Sequence, residues 1–281
     1  MRAVRILYLS IIGLVACGPS NRDGQGGPDA ASSDSSSGTD AAGDGSKVYA
    51  HSGGTLFRID TQNLGTIQIG NMTGLGTQSL TDLAIDKADH MVGITLDKIY
   101  TIDATTGTVT LIKDLSQSAK GFTSLSFVPS DLNNSASDDI LVSANDQGDV
   151  FQIDASAGTA TKIGSYGTVA LGKVISSGDL IGVRGLGIYA TVDVGTETND
   201  YLAKIDPTTW KATPIGAGTG FNNIFGLGFW AGKIYGFVDD KTTHTGKIIT
   251  IDPNTGAGTE ILSGAQEWYG AGVTTDAPII E

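Results

Sequence analysis

Thiols are almost absent from this chain: Cys17 is the one cysteine in 281 residues. That excludes an intrachain disulfide framework and leaves no cysteine nucleophile in the body of the chain. Histidine is nearly as scarce. His51, His90 and His244 lie far apart, and neither His-Glu-x-x-His nor any other zinc-ligand spacing exists. The Gly-x-Ser-x-Gly elbow of serine hydrolases is also missing. Basic residues are outnumbered: 17 Lys and Arg against 30 Asp and Glu give a net charge of −13. This argues against nucleic acid as a partner, because phosphates call for the opposite sign. It argues equally against direct adsorption to anionic lipid. Long apolar runs are missing too. The longest, Ile6–Ala16, has eleven residues, short of the ~20 needed to span a bilayer.

What the chain does have is glycine, 40 residues of it, and a repeat. Leu56-Phe57-Arg58-Ile59-Asp60 recurs as Ile99–Asp103, Val150–Asp154, Leu202–Asp206 and Ile248–Asp252, with Ile-to-Ile spacings of 43, 51, 52 and 46 residues. In each copy the Ile and the residue two before it are apolar, and the residue between them is polar: Arg58, Thr101, Gln152, Lys204, Thr250. Alternation of this kind predicts a strand. A turn follows, as in Asp103-Ala-Thr-Thr-Gly107 and Asp252-Pro-Asn-Thr-Gly256. Asp accepts bonds from the turn backbone, Pro presets φ, and Gly accepts positive φ. These five Asp residues are therefore read as turn caps, neither ligands nor acids. Asp206-Pro-Thr-Thr-Trp210 departs from the pattern by lacking the Gly.

After each turn comes a short strand carrying Ile69, Ile112, Ile163, Ile215 or Ile261. Pro214 cannot donate to a ladder, which makes this the edge strand. Thr81–Ile85, Thr123–Phe127, Phe225–Phe229 and Tyr269–Val273 align as innermost strands, with a fourth-blade equivalent somewhere in Lys173–Arg184. A strand-rich period of this length predicts an all-β propeller. The first repeat lacks an innermost strand at its N-terminal end, and Trp268–Thr274 at the C-terminal end is a lone strand of that type. The simplest closure pairs them and gives five four-stranded blades over 47–281, about 47 residues each; six or seven blades are the alternatives.

The first 46 residues differ in composition. A basic start with Arg2 and Arg5 precedes the apolar run, so residues 1–16 read as a signal peptide. Leu14-Val15-Ala16-Cys17 resembles the bacterial lipobox. That resemblance, confined to residues 1–17, implies cleavage before Cys17, its lipidation, and attachment to the membrane through that lipid. Gly18 stands where enterobacterial sorting places Asp for inner-membrane retention, which favours the outer membrane of the cell envelope. Residues 18–46, rich in Gly, Ser, Asp and Ala, cannot bury enough apolar surface to fold and read as a tether with a reach of roughly 30 Å. They leave 14 basic and 25 acidic residues, a net −11, for the propeller, expected to be a soluble monomer. The Ile251-Asp252-Pro253-Asn254-Thr255-Gly256 turn is similar to those of bacterial secreted propeller repeats, a loose group with binding, scaffold and enzymatic members.

Function is less legible. Gly216-Ala-Gly-Thr-Gly220 and Gly74-Leu-Gly76 lack the strand–loop–helix context of a phosphate cradle, and no cofactor is expected. Asn145-Asp-Gln-Gly-Asp149 faintly resembles a calcium loop, but its Gly is misplaced, and a hairpin turn is the preferred reading. The ligand-binding candidates sit where chains lead into innermost strands: Asp82, Asn222, Asn223, Phe225, Gln266, Glu267, Trp268 and Tyr269. Amides beside aromatics suit glycan or protein recognition. The long loops Gly195–Asp200 and Asp239–Gly246 are expected on the same face. The first choice is a non-enzymatic binding or scaffold module tethered to the envelope. One alternative is a glycoside hydrolase using inner-strand carboxylates such as Asp82 and Glu267, which would need to lie ~5–10 Å apart. Another is a purely structural envelope lipoprotein.

Overall fold

The computed structural model describes residues 46–134, 136–264 and 266–275. The expected signal peptide, Cys17 and the tether up to residue 45 lie outside them. The first blade contains β1 (Val48–Ser52), β2 (Thr55–Ile59) and β3 (Thr66–Asn71). The second contains β4 (Asp82–Ile85), β5 (Met91–Ile94), β6 (Lys98–Ile102) and β7 (Val109–Asp114). The third contains β8 (Ser126–Pro129), β9 (Asp139–Ala144), β10 (Asp149–Asp154) and β11 (Thr159–Ser165). In the fourth, a two-residue β12 (Thr168–Val169) precedes β13 (Gly172–Val183), β14 (Gly187–Val194), β15 (Tyr201–Ile205) and β16 (Ala212–Pro214). The fifth holds β17 (Ile224–Trp230), β18 (Lys233–Asp240), β19 (Thr245–Ile251) and β20 (Gly258–Gly264). The last strand, β21 (Gly270–Val273), pairs antiparallel with β1, from Val48↔Val273 to His51↔Gly270.

The molecule is thus a five-bladed β-propeller whose C-terminal strand completes the first blade. All strand pairs are antiparallel, and the innermost strands touch in ring order β21, β4, β8, β13, β17 and back to β21. β12 adds a fifth strand to the fourth blade by pairing with the first residues of β13. The fourth innermost strand sits at Asp179–Val183, the second half of β13. A break in register between Ser176 and Leu180 displaces it from the first half and hides it from the alignment.

Five apolar clusters fill the five seams between blades. This explains why the repeat is more apolar than simple alternation requires. Leu56 of β2 packs in the seam toward the second blade, whereas Phe57 and Ile59 pack in the seam toward the fifth. A blade near the axis is covered on both faces, so neighbouring residues serve different cores, and only Arg58 reaches solvent. Pro214 lies in the edge strand β16, where its missing N–H leaves no ladder bond unmade.

The repeated turns behave as their sequence suggests. Asp103 Oδ1 accepts from the N–H groups of Thr105 at 2.8 Å and Thr106 at 3.1 Å, and Asp206 Oδ1 from Thr208 at 3.0 Å and Thr209 at 2.7 Å. The fifth turn position is left-handed, at φ 76° in Gly107 and φ 60° in Trp210. Trp210 adopts this disfavoured conformation because its side chain is buried in the seam between the third and fourth blades.

Candidate functional site

The innermost strands begin at one end of the axis, here called the upper face. There a funnel of about 480 Å³ opens, lined by Gly53, Ser79, Leu80, Thr81, Thr123, Ser177, Phe225 and Tyr269. Each blade contributes at or just before the start of its innermost strand. At the lower face the axis is nearly closed: Phe127, Ile181, Phe229 and Val273 leave about 20 Å³. The arrangement is a blind funnel rather than a through-channel. A wider groove of about 860 Å³ lies between the first and second blades, bounded by the Asp103–Thr106 turn and crossed near its edge by the Lys47–Asp89 ion pair. It draws on two blades only.

Directly beneath the lining residues lie two wholly buried carboxyls, Asp82 of the second blade and Asp179 of the fourth. Each ties its own strand to the next blade. Asp82 accepts from Leu83 N at 2.8 Å and from Leu125 N of the third blade at 2.7 Å. Asp179 accepts from Leu180 N and from Leu227 N of the fifth blade, both at 2.6 Å. The two carboxyls lie close enough to influence each other's titration. Burial raises both well above the usual carboxylate range, and the charge of Asp179 pushes Asp82 up further.

His51 of β1 lies beside this pair, wholly buried, with neither ring nitrogen hydrogen-bonded. Burial lowers its pKa to about 4, leaving it neutral. A side chain on Gly270 would place its Cβ 2.6 Å from both His51 Nε2 and Asp82 Oδ1. Glycine is required here because those two groups converge on the same point.

The rim is polar and largely acidic. Tyr269 donates its hydroxyl to Glu267 Oε2 at 2.9 Å, and His244 Nδ1 lies 3.1 Å from Glu267 Oε1. Those two bonds hold Glu267 below its usual pKa; the bond to Glu267, burial, and the charges of Glu267 and Asp239 push the Tyr269 phenol up to about 12. Asp239, 2% exposed, stands nearby with Oδ1 unpartnered, and burial raises its pKa. Lys241 Nζ lies 5.2 Å from the centre of the Phe225 ring and 3.9 Å from Asp239 Oδ2. On the fourth blade, Ser177 donates to buried Asp200 at 2.6 Å, and burial moves that carboxyl up to about 6.

The sequence-derived candidates divide into groups. Phe225 and Tyr269 line the funnel, Glu267 holds Tyr269, and Asp82 forms part of the floor. Asn222 is exposed and Asn223 half-buried, both just before β17, and Asn223 O accepts from Asp239 N at 3.0 Å. Gln266 and Trp268 border a different cavity, about 230 Å³ between the outer parts of the fifth and first blades. Trp268 is buried there, edge-on to Phe57 at 5.6 Å and to Phe237 at 5.8 Å. Asp82 is paired with Asp179, while Glu267 is engaged by Tyr269 and His244. The long loop residue His244 reaches the segment leading into β21, and Asp200 accepts from Ile224 N at 2.8 Å, so both long loops border the upper face.

The Asn145–Asp149 segment is a tight hairpin turn. Asn145 Oδ1 accepts from Gln147 N at 3.0 Å and Asp149 N at 2.9 Å, with Gly148 at φ 77°. Sequence reading missed Asp179 and His51. For Asp179 a signal existed, because Gly178-Asp179-Leu180-Ile181 repeats the Asp-Leu step of Thr81-Asp82-Leu83-Ala84.

No protein-family profile and no curated protein matches the sequence. Among solved structures, a putative TolB from Agrobacterium tumefaciens is similar over 81% of each chain at 16% identity, TM-score 0.47. The computationally designed protein Ika8 is similar over 79% of this chain at 16% identity, TM-score 0.36; this chain spans 60% of that one. The extracellular domain of a putative one-component system from Bacteroides thetaiotaomicron is similar over 79% of this chain and 30% of its own, at 14% identity and TM-score 0.39. At these scores the likenesses carry no argument about activity. The propeller fold itself, open at one end of its axis, is compatible with a binding or scaffold module.

Proposed function

We propose that this protein is a lipid-anchored module of the bacterial cell envelope whose central funnel binds a ligand without transforming it. The observation that carries this reading is the funnel: about 480 Å³, closed below, with a lining that every blade helps to build. That volume falls within the ~300–1,000 Å³ of small-molecule sites and suits a short glycan or the end of an envelope protein. Phe225 and Tyr269 provide the aromatic faces, and Ser79, Thr81, Thr123 and Ser177 the hydroxyls. A non-catalytic role fits the floor, where all four carboxyl oxygens of Asp82 and Asp179 receive backbone N–H groups, two of them from the next blade. Lipidation at Cys17 is supported by the Leu14–Cys17 motif. The described chain starts beside Thr274 at the lower face, away from the funnel mouth.

The test is a glycan and envelope-protein array probed with the purified protein and with Phe225→Ala and Tyr269→Ala. Ligands captured by the wild type and lost by both variants support the funnel. Capture that neither variant alters would place recognition elsewhere.

A further inference from the structure

The polar groups of the funnel wall are hydroxyls, and its rim carries carboxylates. None of the lining residues is Lys, Arg or His. Glu267, held ionised by its two partners, places a negative charge at the rim. Two buried side chains in this region have unfilled hydrogen-bonding capacity. Asp239 Oδ1 is unpartnered in a residue 2% exposed, and wholly buried His51 has both ring nitrogens unpartnered. A carboxylate oxygen takes only donors, whereas a neutral imidazole offers one donor and one acceptor nitrogen. The ionised Glu267 and the unpartnered oxygen of Asp239 are complemented by a ligand that brings N–H donors and a positive charge.

A second observation points the same way. The chain's own ammonium already occupies the rim: Lys241 Nζ sits over the Phe225 ring at 5.2 Å, 3.9 Å from Asp239. Its side chain is 62% exposed, on a loop at the mouth. This is the geometry by which an aromatic face and a carboxylate jointly hold a cation. Phe225 belongs to the funnel lining, so a ligand ammonium entering there would meet the same ring and the same carboxylate, with Lys241 as a competitor free to swing into solvent.

We propose that the funnel recognises a small ligand bearing a primary ammonium group, such as an amino sugar or an alkyl amine, seated against Phe225 and Tyr269 with its N–H groups directed to the acidic rim. The inference rests on the funnel being the binding site. It deepens that reading by naming the charged group recognised.

Calorimetric titration of the purified full-length protein tests it with three probes: the glucosamine disaccharide, its N-acetylated counterpart, and diaminopentane. The free amines should bind, and the N-acetylated disaccharide should bind about tenfold more weakly or not at all. Tighter binding of the glucosamine disaccharide than of diaminopentane would mark a sugar body, and the reverse an alkyl amine. Lys241→Ala, an exposed change that leaves the core intact, should tighten amine binding about threefold by removing the competitor. Asp239→Asn should weaken it, and added salt should weaken it further. Equal binding of the amine and its acetylated form, no binding by either amine, or weaker amine binding in Lys241→Ala would overturn the ammonium inference. If the acetylated sugar binds equally and Phe225→Ala abolishes that binding, the funnel reading stands without the ammonium. If amines bind and neither Phe225→Ala nor Asp239→Asn alters them, both readings fall.

Discussion

Seven aspartates of this chain hold the propeller together in two ways with opposite pH signs. Asp60, Asp103, Asp154, Asp206 and Asp252 cap exposed turns. In four of them, Asp103, Asp154, Asp206 and Asp252, hydrogen bonds to the ionised carboxylate lower the pKa. Their contribution is present above the usual 3.8 and is lost as pH falls through the lowered values. Asp82 and Asp179 do the reverse. Their pKa values are raised, so their contribution is complete below 3.8 and declines as pH rises from there through the raised values. The expected outcome is a stability curve that falls on both the acidic and the alkaline side, measured as melting temperature across pH. Asp82→Asn should make the alkaline limb shallower, because it removes one of the two carboxyls whose pKa is raised. It should also cost about 1–3 kcal/mol, since one backbone N–H of Leu83 or Leu125 loses its oxygen acceptor. An alkaline limb equally steep in Asp82→Asn would show that Asp82 does not titrate with a raised pKa. Asp179 was less visible in the sequence than Asp82 because the register break in β13 displaces it from the alignment.

At the scale of elements, ring closure depends on β21. Its four residues pair with β1, and the preceding Trp268 wedges between Phe57 of the first blade and Phe237 of the fifth. Trp268→Ala should therefore destabilise the protein by about 3–5 kcal/mol. Deleting Gln266–Glu281 removes the strand as well. Against a total of ~5–15 kcal/mol for a domain, that should unfold the propeller or leave β1 to pair edge-to-edge in aggregates. Denaturant melts and light scattering check both, and a truncated chain that stays monomeric with the full-length midpoint would refute closure by β21. The repeated third strands were easy to read because alternation around Arg58, Thr101, Gln152, Lys204 and Thr250 is a local pattern. The innermost strands were readable in four blades, where a small residue, Ala84, Ser126, Gly228 or Gly272, follows Leu83, Leu125, Leu227 and Ala271.

At the scale of the whole molecule, the described chain enters the propeller beside Thr274 at the lower face, and the funnel opens at the upper one. If Cys17 carries lipid, the wild type should fractionate with membranes, and Cys17→Ser should be soluble or persist as precursor. Identical fractionation of the two would remove the anchor from the account. The net −11 of residues 47–281 disfavours close approach of the body to anionic headgroups.

Chain-local information determined the class and the count of blades. Strand alternation, Asp-to-Gly turns and the position of Pro214 depend on neighbours a few residues away, and the missing first innermost strand announced its own replacement at Trp268–Thr274. Local information could not determine which repeated positions meet at the axis. That Asp82 and Asp179 raise their pKa values together in the closed centre, that His51 is buried without a partner, and that Phe225 and Tyr269 face a cavity while Trp268 fills a seam follow from bringing distant blades around one axis. The side chain of an innermost strand can point to the axis, to a seam or to the mouth with almost the same local sequence. Only closure of the ring, which removes water from the centre and sets opposite blades within hydrogen-bonding reach, distinguishes them.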